Sequence, residues 1–195
     1  GKMSPFLFID YLAVESKIQE EGLTGDIIKG IVKGLEQCDA SSILRNSIKI
    51  NFGKGETASV DELMSGIRPG YGFDIAGGMI GFVPKESVKF EVKPGQKIIS
   101  LKSSGLHSNG YTDARLKLLN GDFESRPQFK KRYQGKHSLE DEFEGTTIGK
   151  ALIEPTKIYV NDMAKISKDF EVIALNNTGY GLKNLNRLTG NLSLL

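Results

Sequence analysis

The first half of the chain combines long apolar segments with one amphipathic segment. Residues 5–14, PFLFIDYLAV, are apolar apart from one aspartate, which is typical of a buried strand. Residues 25–38 carry apolar side chains at helical spacing, which predicts a helix with one face turned to the core. The residues on that face are Ile27, Ile28, Ile31, Val32 and Leu35.

Two further strands are predicted before residue 90. SIKINF, residues 47–52, alternates apolar and polar positions as a half-buried strand does. GKGET, residues 53–57, predicts a sharp turn after it. Residues 71–88 form a second apolar strand segment, whose glycines allow another backbone or a ligand to approach closely.

The second half of the chain has a different texture. Pro94-Gly95 predicts a turn and residues 97–101 a short strand, so a domain boundary is expected near residues 88–95. A helix is predicted from Tyr111, with Thr112 as its N-cap. Residues 121–149 are polar, charged and poorly periodic, which predicts a surface excursion.

The last segments return to regular elements. Residues 154–167 predict a helix opened by Pro155, and residues 170–188 predict a strand, a polar glycine loop and a helix. Strands and helices therefore mix along the chain in two parts, which predicts an α/β (α+β) fold.

Composition excludes several classes of function. The net charge is +2 with both signs interspersed, which disfavours a nucleic-acid partner. The single cysteine rules out an intrachain disulfide and, with only two histidines, a Cys/His metal site. No apolar run reaches the roughly 20 residues of a membrane helix, and no signal peptide is recognised at the start. The expected location is the cytoplasm, without a membrane partner.

Three carboxylates are the first candidates for chemistry. Asp10 and Asp74 interrupt apolar strands, and Glu56 lies in a glycine-rich segment. A carboxylate in an apolar strand is costly to bury unless it is paired or binds a metal, and Mg²⁺ prefers such oxygen ligands. The alternative is that Asp10 and Asp74 fall at strand ends and cap turns.

The loop SSGLHSNG, residues 103–110, is the second candidate. Its serines, glycines and asparagine precede a predicted helix, as in loops that cradle phosphate, and His107 can donate a hydrogen bond or act as an acid or base. An ordinary turn with a surface histidine is the alternative. NNTGYG, residues 176–181, is a similar polar glycine loop before a predicted helix, and its composition is equally unspecific. His137 is expected to lie on the surface and Tyr159 to pack against its neighbours.

The order of several motifs carries a resemblance that no one motif carries alone. The segments are FLFIDYLA, GKGETAS, YGFDIAGGMIGFV, SSGLHSNGYT, EPTKIYV and NNTGYGLKNLNRL. In this order and at this spacing the chain resembles aminoimidazole ribonucleotide synthetase, the phosphoribosylformylglycinamidine cyclo-ligase of purine biosynthesis, and its charged insert resembles archaeal members. The resemblance implies an enzyme that uses ATP and Mg²⁺ to close the ring of formylglycinamidine ribonucleotide, giving aminoimidazole ribonucleotide, ADP and phosphate.

The resemblance also implies roles for residues. Asp10 and Glu56 match acidic positions at the nucleotide and its metal, and Asp74 matches the aspartate of a strand near them. The loop associated with the ribonucleotide substrate matches His107, as the catalytic residue, with Ser104, Ser108 and Asn109. Asn177, Thr178 and Gly179 match a second substrate loop, although Asn176 stands where the family has histidine and Tyr180 where it has glycine.

The architecture implied is PurM-like, with two α/β domains and a homodimer formed through the first domain. Residues 1–90 match the C-terminal part of the ATP-binding and dimerisation domain, and residues 91–195 match the N-terminal part of the second domain. The family's N-terminal nucleotide motif and the end of its second domain have no counterpart, so the chain is expected to be the middle of a longer enzyme.

Two other readings stay open. The chain can be another ATP-using member of the superfamily, such as formylglycinamidine ribonucleotide synthetase, selenophosphate synthetase or thiamine-phosphate kinase. It can also be a non-catalytic remnant that serves as a binding module, a reading motivated by the missing nucleotide motif.

Overall fold

The computed structural model describes residues 4–38, 49–85, 91–123, 125–176, 179 and 181–186. Within them the predicted mixture of helices and strands is confirmed. The predicted domain boundary overlaps residues 86–90, which lie outside the described residues. The division into two domains therefore stays a prediction.

A three-stranded sheet organises the first half of the chain. Its strands are β1 (Ser4–Val14), β2 (Asn51–Ser59) and β3 (Phe73–Phe82), in the order β2-β1-β3. β1 pairs with β2 in parallel and with β3 antiparallel. Because parallel neighbours need a crossover connection, two helices lie between β1 and β2 in the chain: α1 (Ser16–Glu20) and α2 (Leu23–Gln37).

The core of this half lies on one face of β1. Leu12 and Val14 are fully buried there together with Ile18 of α1. Leu23 and Ile27 pack against them from α2. Of the predicted face, Ile27 therefore contacts this core, whereas Val32 is 37% exposed. Since side chains alternate along a strand, Ile9 and Tyr11 point to the other face, where they are 40% and 43% exposed.

The predicted turn at GKGET is wrong, because β2 continues through it. The register with β1 shifts between Phe8 and Asp10, and this irregularity accommodates an extra residue of β2. A Cβ on Gly53 would lie 2.7 Å from Leu7 Cδ1, and one on Gly55 would collide with the Asp10 carboxylate. These glycines therefore allow side chains of β1 to pack closely against the backbone of β2.

The second half contains short elements. They are α3 (Tyr111–Leu118), α4 (Pro127–Lys130), β4 (Glu142–Phe143), β5 (Thr146–Thr147), α5 (Ile148–Leu152), α6 (Val160–Asp169) and a 3-10 helix (Gly181–Leu185). β4 and β5 form a hairpin whose turn residues, Glu144 and Gly145, both have positive φ, as a two-residue type I′ turn requires. The segment predicted as a surface excursion thus contains local structure.

Two predicted strands of this half are not formed in the described residues. Residues 97–101 and 171–176 have no strand neighbour there, and a strand exists only through such pairing. Ile98 and Ile99 are correspondingly 64% and 61% exposed.

The start of α3 at Tyr111 is confirmed, but its predicted N-cap and the predicted start of the helix over residues 154–167 are wrong. The N-cap of α3 is Gly110, so Thr112 lies in the first turn. α6 begins at Val160, because the preceding segment bonds elsewhere: the Pro155 carbonyl accepts the Ser104 hydroxyl, and the Tyr159 hydroxyl donates to the Lys102 carbonyl.

A buried ion pair joins the sheet to the second half of the chain. Glu15, 3% exposed, accepts the backbone N–H groups of Gly66 and Gly72 and lies 2.7 Å from the Arg126 guanidinium. Burial alone would raise the pKa of Glu15, but these two N–H groups and the charge of Arg126 outweigh it and hold the pKa below its ordinary value. Arg126 also donates to the Gly66 carbonyl, so the pair fixes the loop between β2 and β3.

None of the helices in the described residues is both long and apolar enough to cross a membrane.

Candidate functional site

The loop of residues 103–110 is held in a bent form that presents His107. The Asn109 N–H donates to the Leu106 carbonyl, which closes a turn around His107. His107 has a φ of 57°, in the left-handed region that residues other than glycine rarely adopt. Such backbone strain concentrates at functional sites, so the observation favours a role for this histidine.

The hydrogen bonds of His107 select one tautomer. Its Nε2 lies 3.0 Å from the Ser104 backbone N–H, which can only donate. The Ser104 hydroxyl lies 2.9 Å from the same nitrogen and 2.8 Å from the Pro155 carbonyl, and its one proton can be shared between these two acceptors. Nε2 must therefore accept, and in the neutral ring the proton resides on Nδ1. In the described residues Nδ1–H has no partner, so it can donate to a ligand.

The segment 155–160 packs against this loop. The ring of Tyr159 lies 6.1 Å from that of His107, and its hydroxyl anchors Lys102. The Thr156 hydroxyl is 3.4 Å from the Ser108 hydroxyl. The structure thus brings together two of the motifs that carry the resemblance. Tyr159, expected only to pack, positions the histidine loop, and its place in the EPTKIYV motif was the available signal.

The third loop meets the first at Gly179. A Cβ on Gly179 would lie 2.7 Å from the Asn109 Oδ1, so only glycine allows this contact. The Gly179 carbonyl accepts the side-chain amide of Asn184, which is 3% exposed. Asn177 and Thr178 lie outside the described residues. Gly179 and Asn109 are therefore neighbours, as expected for one site, and sequence reasoning missed the buried Asn184.

An open cleft of about 700 Å³ lies beside Ser104. The loop lines one part of it, and the hairpin with α5 lines the other. Its lining residues are Ser103, Ser104, Gly105, Phe143, Glu144, Thr146, Lys150, Ala151 and Glu154. A concave surface of this size with hydroxyl and charged groups has room for a nucleotide-sized ligand.

Asp10 lies in a cradle of glycines on the helix-covered face of the sheet. It pairs with Gly55 on one side and Gly77 on the other, and it shares the face of Leu12. Its Oδ1 is buried and has no hydrogen-bond partner in the described part of the chain. An orphaned carboxylate oxygen is costly, which fits a ligand or cation that approaches here.

Glu56 and Asp74 lie on the opposite face. Glu56 pairs with Tyr11, and Asp74 pairs with Ala13, so both share the open face of the sheet. The Asp74 carboxylate accepts the N–H of Ile75. The structure therefore does not bring Asp10 and Glu56 together, although both were predicted to hold the metal.

These carboxylates can each offer Mg²⁺ one protein ligand, but they do not form a cluster around one ion. Among the described residues no group of three or more His, Cys, Asp or Glu side chains is placed to hold a metal ion. Of the three candidate carboxylates, only Asp10 has a buried oxygen without a hydrogen-bond partner in the described residues. Since Mg²⁺ in nucleotide sites keeps waters and phosphate oxygens as ligands, one carboxylate from this face suffices as the protein's contribution.

Two other candidates have structural roles. His137 pairs with Asp141 at 3.0 Å, and hydrogen bonds from Ser138 and His137 hold the pKa of Asp141 below its ordinary value. Cys38 follows α2 half-buried, and burial raises the pKa of its thiol, which keeps it protonated and unreactive.

The chain is similar to curated proteins over nearly its whole length. It is 33% identical over 187 residues to a phosphoribosylformylglycinamidine cyclo-ligase of Methanopyrus kandleri, covering 94% of this chain and 46% of that protein. Cyclo-ligases of the same name from Desulfotalea psychrophila and Thermococcus kodakarensis are 34% and 35% identical, and the alignments cover 44% and 46% of their lengths. No protein-family model matches the chain.

These relatives confirm the resemblance drawn from the motifs, including its archaeal members. The chain spans slightly less than half the length of the curated relatives it matches. It is thus related, along nearly all of its residues, to the phosphoribosylformylglycinamidine cyclo-ligases.

Proposed function

We propose that this chain serves the ATP-dependent closure of formylglycinamidine ribonucleotide to aminoimidazole ribonucleotide. The observation that carries the proposal is the assembly of the His107 loop, the segment 155–160 and Gly179 around one surface, in a chain whose relatives are named cyclo-ligases. ATP and formylglycinamidine ribonucleotide are the proposed substrates, and Mg²⁺ is the proposed metal.

The reaction needs an activated oxygen. An amide oxygen is a poor leaving group, so the γ-phosphoryl group of ATP is transferred to the formamide oxygen and ADP leaves. An amidine nitrogen then attacks the activated carbon, and the oxygen departs as phosphate, which closes the ring. Positioning and electrostatic stabilisation supply most of the catalysis in phosphoryl transfer.

His107 acts in this proposal as a hydrogen-bond donor. With Nε2 occupied by the Ser104 N–H, the neutral ring offers only Nδ1–H to the substrate. A neutral imidazole is a poor acid, so it stabilises negative charge on the activated oxygen without transferring its proton. The Ser104–Pro155 hydrogen bond holds the loop in place while charge develops.

The neighbouring loop residues hold the ribonucleotide. Ser108 and Asn109 present exposed polar side chains beside the histidine. Gly179 packs closely against the Asn109 side chain and restricts its position. Asn177 and Thr178 complete this substrate loop in the proposal, on the strength of the motif alone.

The carboxylates divide between two faces of the sheet. Asp10 holds the metal through its unpartnered Oδ1, and Mg²⁺, when bound, neutralises phosphate charge. Glu56 and Asp74 are the proposed nucleotide-binding carboxylates, and they lie on the open face of the sheet. A homodimer that covers this open face is also proposed, because Ile9, Tyr11 and Ile80 are at least 40% exposed there.

Protection by nucleotide tests the proposal against a purely structural role. A ligand that binds only the folded chain raises its thermal unfolding midpoint, by an amount that grows with concentration above Kd. The chain is expected to be stabilised by ATP with Mg²⁺ and much less by Mg²⁺ alone. An unchanged midpoint at saturating Mg-ATP would favour a binding module that has lost its nucleotide site.

A further inference from the structure

A second, smaller cavity lies where the loop between β2 and β3 meets the second half of the chain. Its volume is about 90 Å³, and it shares no lining residue with the cleft beside Ser104. Thr112, Arg115 and Arg132 provide its polar lining, and apolar side chains provide the rest. The volume is about three times the share of one liquid water, which is enough for a single phosphate group.

The charges around this cavity are uncompensated. In the described residues neither Arg115 nor Arg132 has a carboxylate within ion-pair distance, and only the Nε of Arg115 is bonded, to the Tyr111 carbonyl. Arg126 shows the contrast, since it is paired with Glu15 and the Gly66 carbonyl. Two cations that converge on one cavity repel each other unless an anion lies between them.

The walls of the cavity are already fixed. The Arg126 N–H donates to the Ile67 carbonyl at 2.8 Å, and the Gln134 N–H donates to the Leu116 carbonyl at 2.7 Å. The ring of Tyr133 packs edge-on against that of Phe123 at 5.2 Å. Binding of a ligand in this cavity therefore needs little further ordering of side chains and loops, so its entropic cost is small.

We propose that the Arg115–Arg132 cavity is a phosphate-binding site. Arg115, Arg132 and Thr112 all line the cavity. A guanidinium fork matches the oxygens of a phosphate group, and a hydroxyl can add a further donor. The apolar side chains of Ile67, Leu116 and Phe129 also line the cavity and lower the local dielectric beside these charges. The site is separate from the His107 loop, and its occupation does not depend on the ring-closing reaction.

The test is a calorimetric titration of the chain with inorganic phosphate, against chloride at the same ionic strength. Arg132→Gln removes one fork, and the matched control Lys131→Gln removes the neighbouring charge, which does not line the cavity. Saturable phosphate binding is expected, weakened about tenfold or more by Arg132→Gln and less than twofold by Lys131→Gln. Absence of saturable binding, or equal weakening in the two variants, overturns the proposal.

Two further arms sharpen the result. Arg132→Lys keeps the charge but loses the planar fork, so an intermediate affinity is expected, and wild-type affinity in this variant would contradict recognition by a fork. Ribose 5-phosphate and adenosine 5′-monophosphate identify the source of the group. Tighter binding than inorganic phosphate assigns the cavity to a phosphate ester, and equal or weaker binding assigns it to free phosphate. Arg132 is exposed, so its variants are expected to fold.

Discussion

At the scale of single residues, the proposed chemistry depends on which nitrogen of His107 carries the proton. The Ser104 N–H can only donate, and it occupies Nε2 at 3.0 Å. This leaves Nδ1–H as the group offered to a ligand. From the sequence alone His107 was equally a donor, an acid or a base, because tautomer choice depends on a backbone contact that composition does not reveal.

Replacement of His107 is the first test at this scale. His107→Ala in the complete gene product is expected to lower kcat about 10²–10³-fold, the usual loss for one donor to developing charge. Its unfolding free energy should change little, because the imidazole contributes few contacts to a loop of mostly exposed residues. Steady-state kinetics and thermal unfolding on the same sample measure both quantities.

The other histidine provides the control. His137→Gln removes the imidazole contact with Asp141 and leaves the candidate site intact. It is expected to lower the thermal midpoint slightly and to keep kcat. Wild-type turnover in His107→Ala, or an equal loss in both variants, would remove His107 from the site.

The proposed metal ligand, Asp10, makes a second prediction. Asp10→Asn is expected to weaken Mg-ATP affinity about tenfold, because the neutral amide is a poorer ligand for a hard cation. The variant keeps the shape of Asp10 beside Gly55, so packing is preserved. Titration calorimetry measures the affinity, and an unchanged value would mean that Asp10 is structural.

A double-mutant cycle tests the placement of the two carboxylates on opposite faces. Residues that are not in contact and bind no common ion or group have additive effects, within about 0.5 kcal/mol. Asp10→Asn and Glu56→Gln are therefore expected to add in their effects on Mg-ATP affinity. Strong non-additivity would mean that both contact one ion, against the observed register of β1 with β2.

At the scale of elements, the local sequence pattern predicted those strands and helices whose formation does not depend on a neighbouring element. β1 and α2 form close to their predicted bounds, since a continuous apolar run and a helical apolar face need little further information. GKGET reads as a turn but forms part of β2, because its glycines make room for Leu7 and Asp10 of the adjacent strand. That reason lies in the partner strand, where no local rule detects it.

The Glu15–Arg126 pair is the main element-level contact that sequence reasoning missed. Its residues are far apart in the chain, and Glu15 directly follows a predicted strand without any motif. Glu15→Gln is expected to lower the unfolding free energy by about 2–4 kcal/mol, because it leaves the partly buried Arg126 uncompensated. Chemical denaturation measures this loss, and a change below about 0.5 kcal/mol would contradict the structural role.

The same pair predicts a dependence of stability on pH. The folded-state pKa of Glu15 lies below its ordinary value, so the carboxylate's contribution is complete above that ordinary value of 4.5. The contribution is lost as pH falls through the lowered folded-state pKa. The stability gap between wild type and Glu15→Gln should therefore be constant near neutral pH and shrink in acid. A gap that widens in acid would reverse the assigned direction.

At the scale of the whole molecule, three separate loops meet at one surface. Residues 103–110, the segment 155–160 and Gly179 are distant in sequence, and direct contacts join them. The resemblance predicted that they belong to one site, whereas composition gave each loop only weak specificity. The opposite faces of Asp10 and Glu56 could not be predicted, because they depend on a register shift within a parallel strand pair.

The open sides of the molecule fit a chain that spans slightly less than half the length of its relatives. Residues 97–101 keep their apolar side chains exposed, and the open face of the sheet does the same. The activity, the substrates and the homodimer therefore stay proposals.

The central claim is tested most directly by assaying the complete gene product with formylglycinamidine ribonucleotide, ATP and Mg²⁺. Aminoimidazole ribonucleotide and ADP are measured together, with intact mass recorded on the same sample. Equal amounts of the two products, and their joint loss in His107→Ala, are expected. A folded protein of verified mass that forms no aminoimidazole ribonucleotide, or forms it undiminished without His107, would contradict the account.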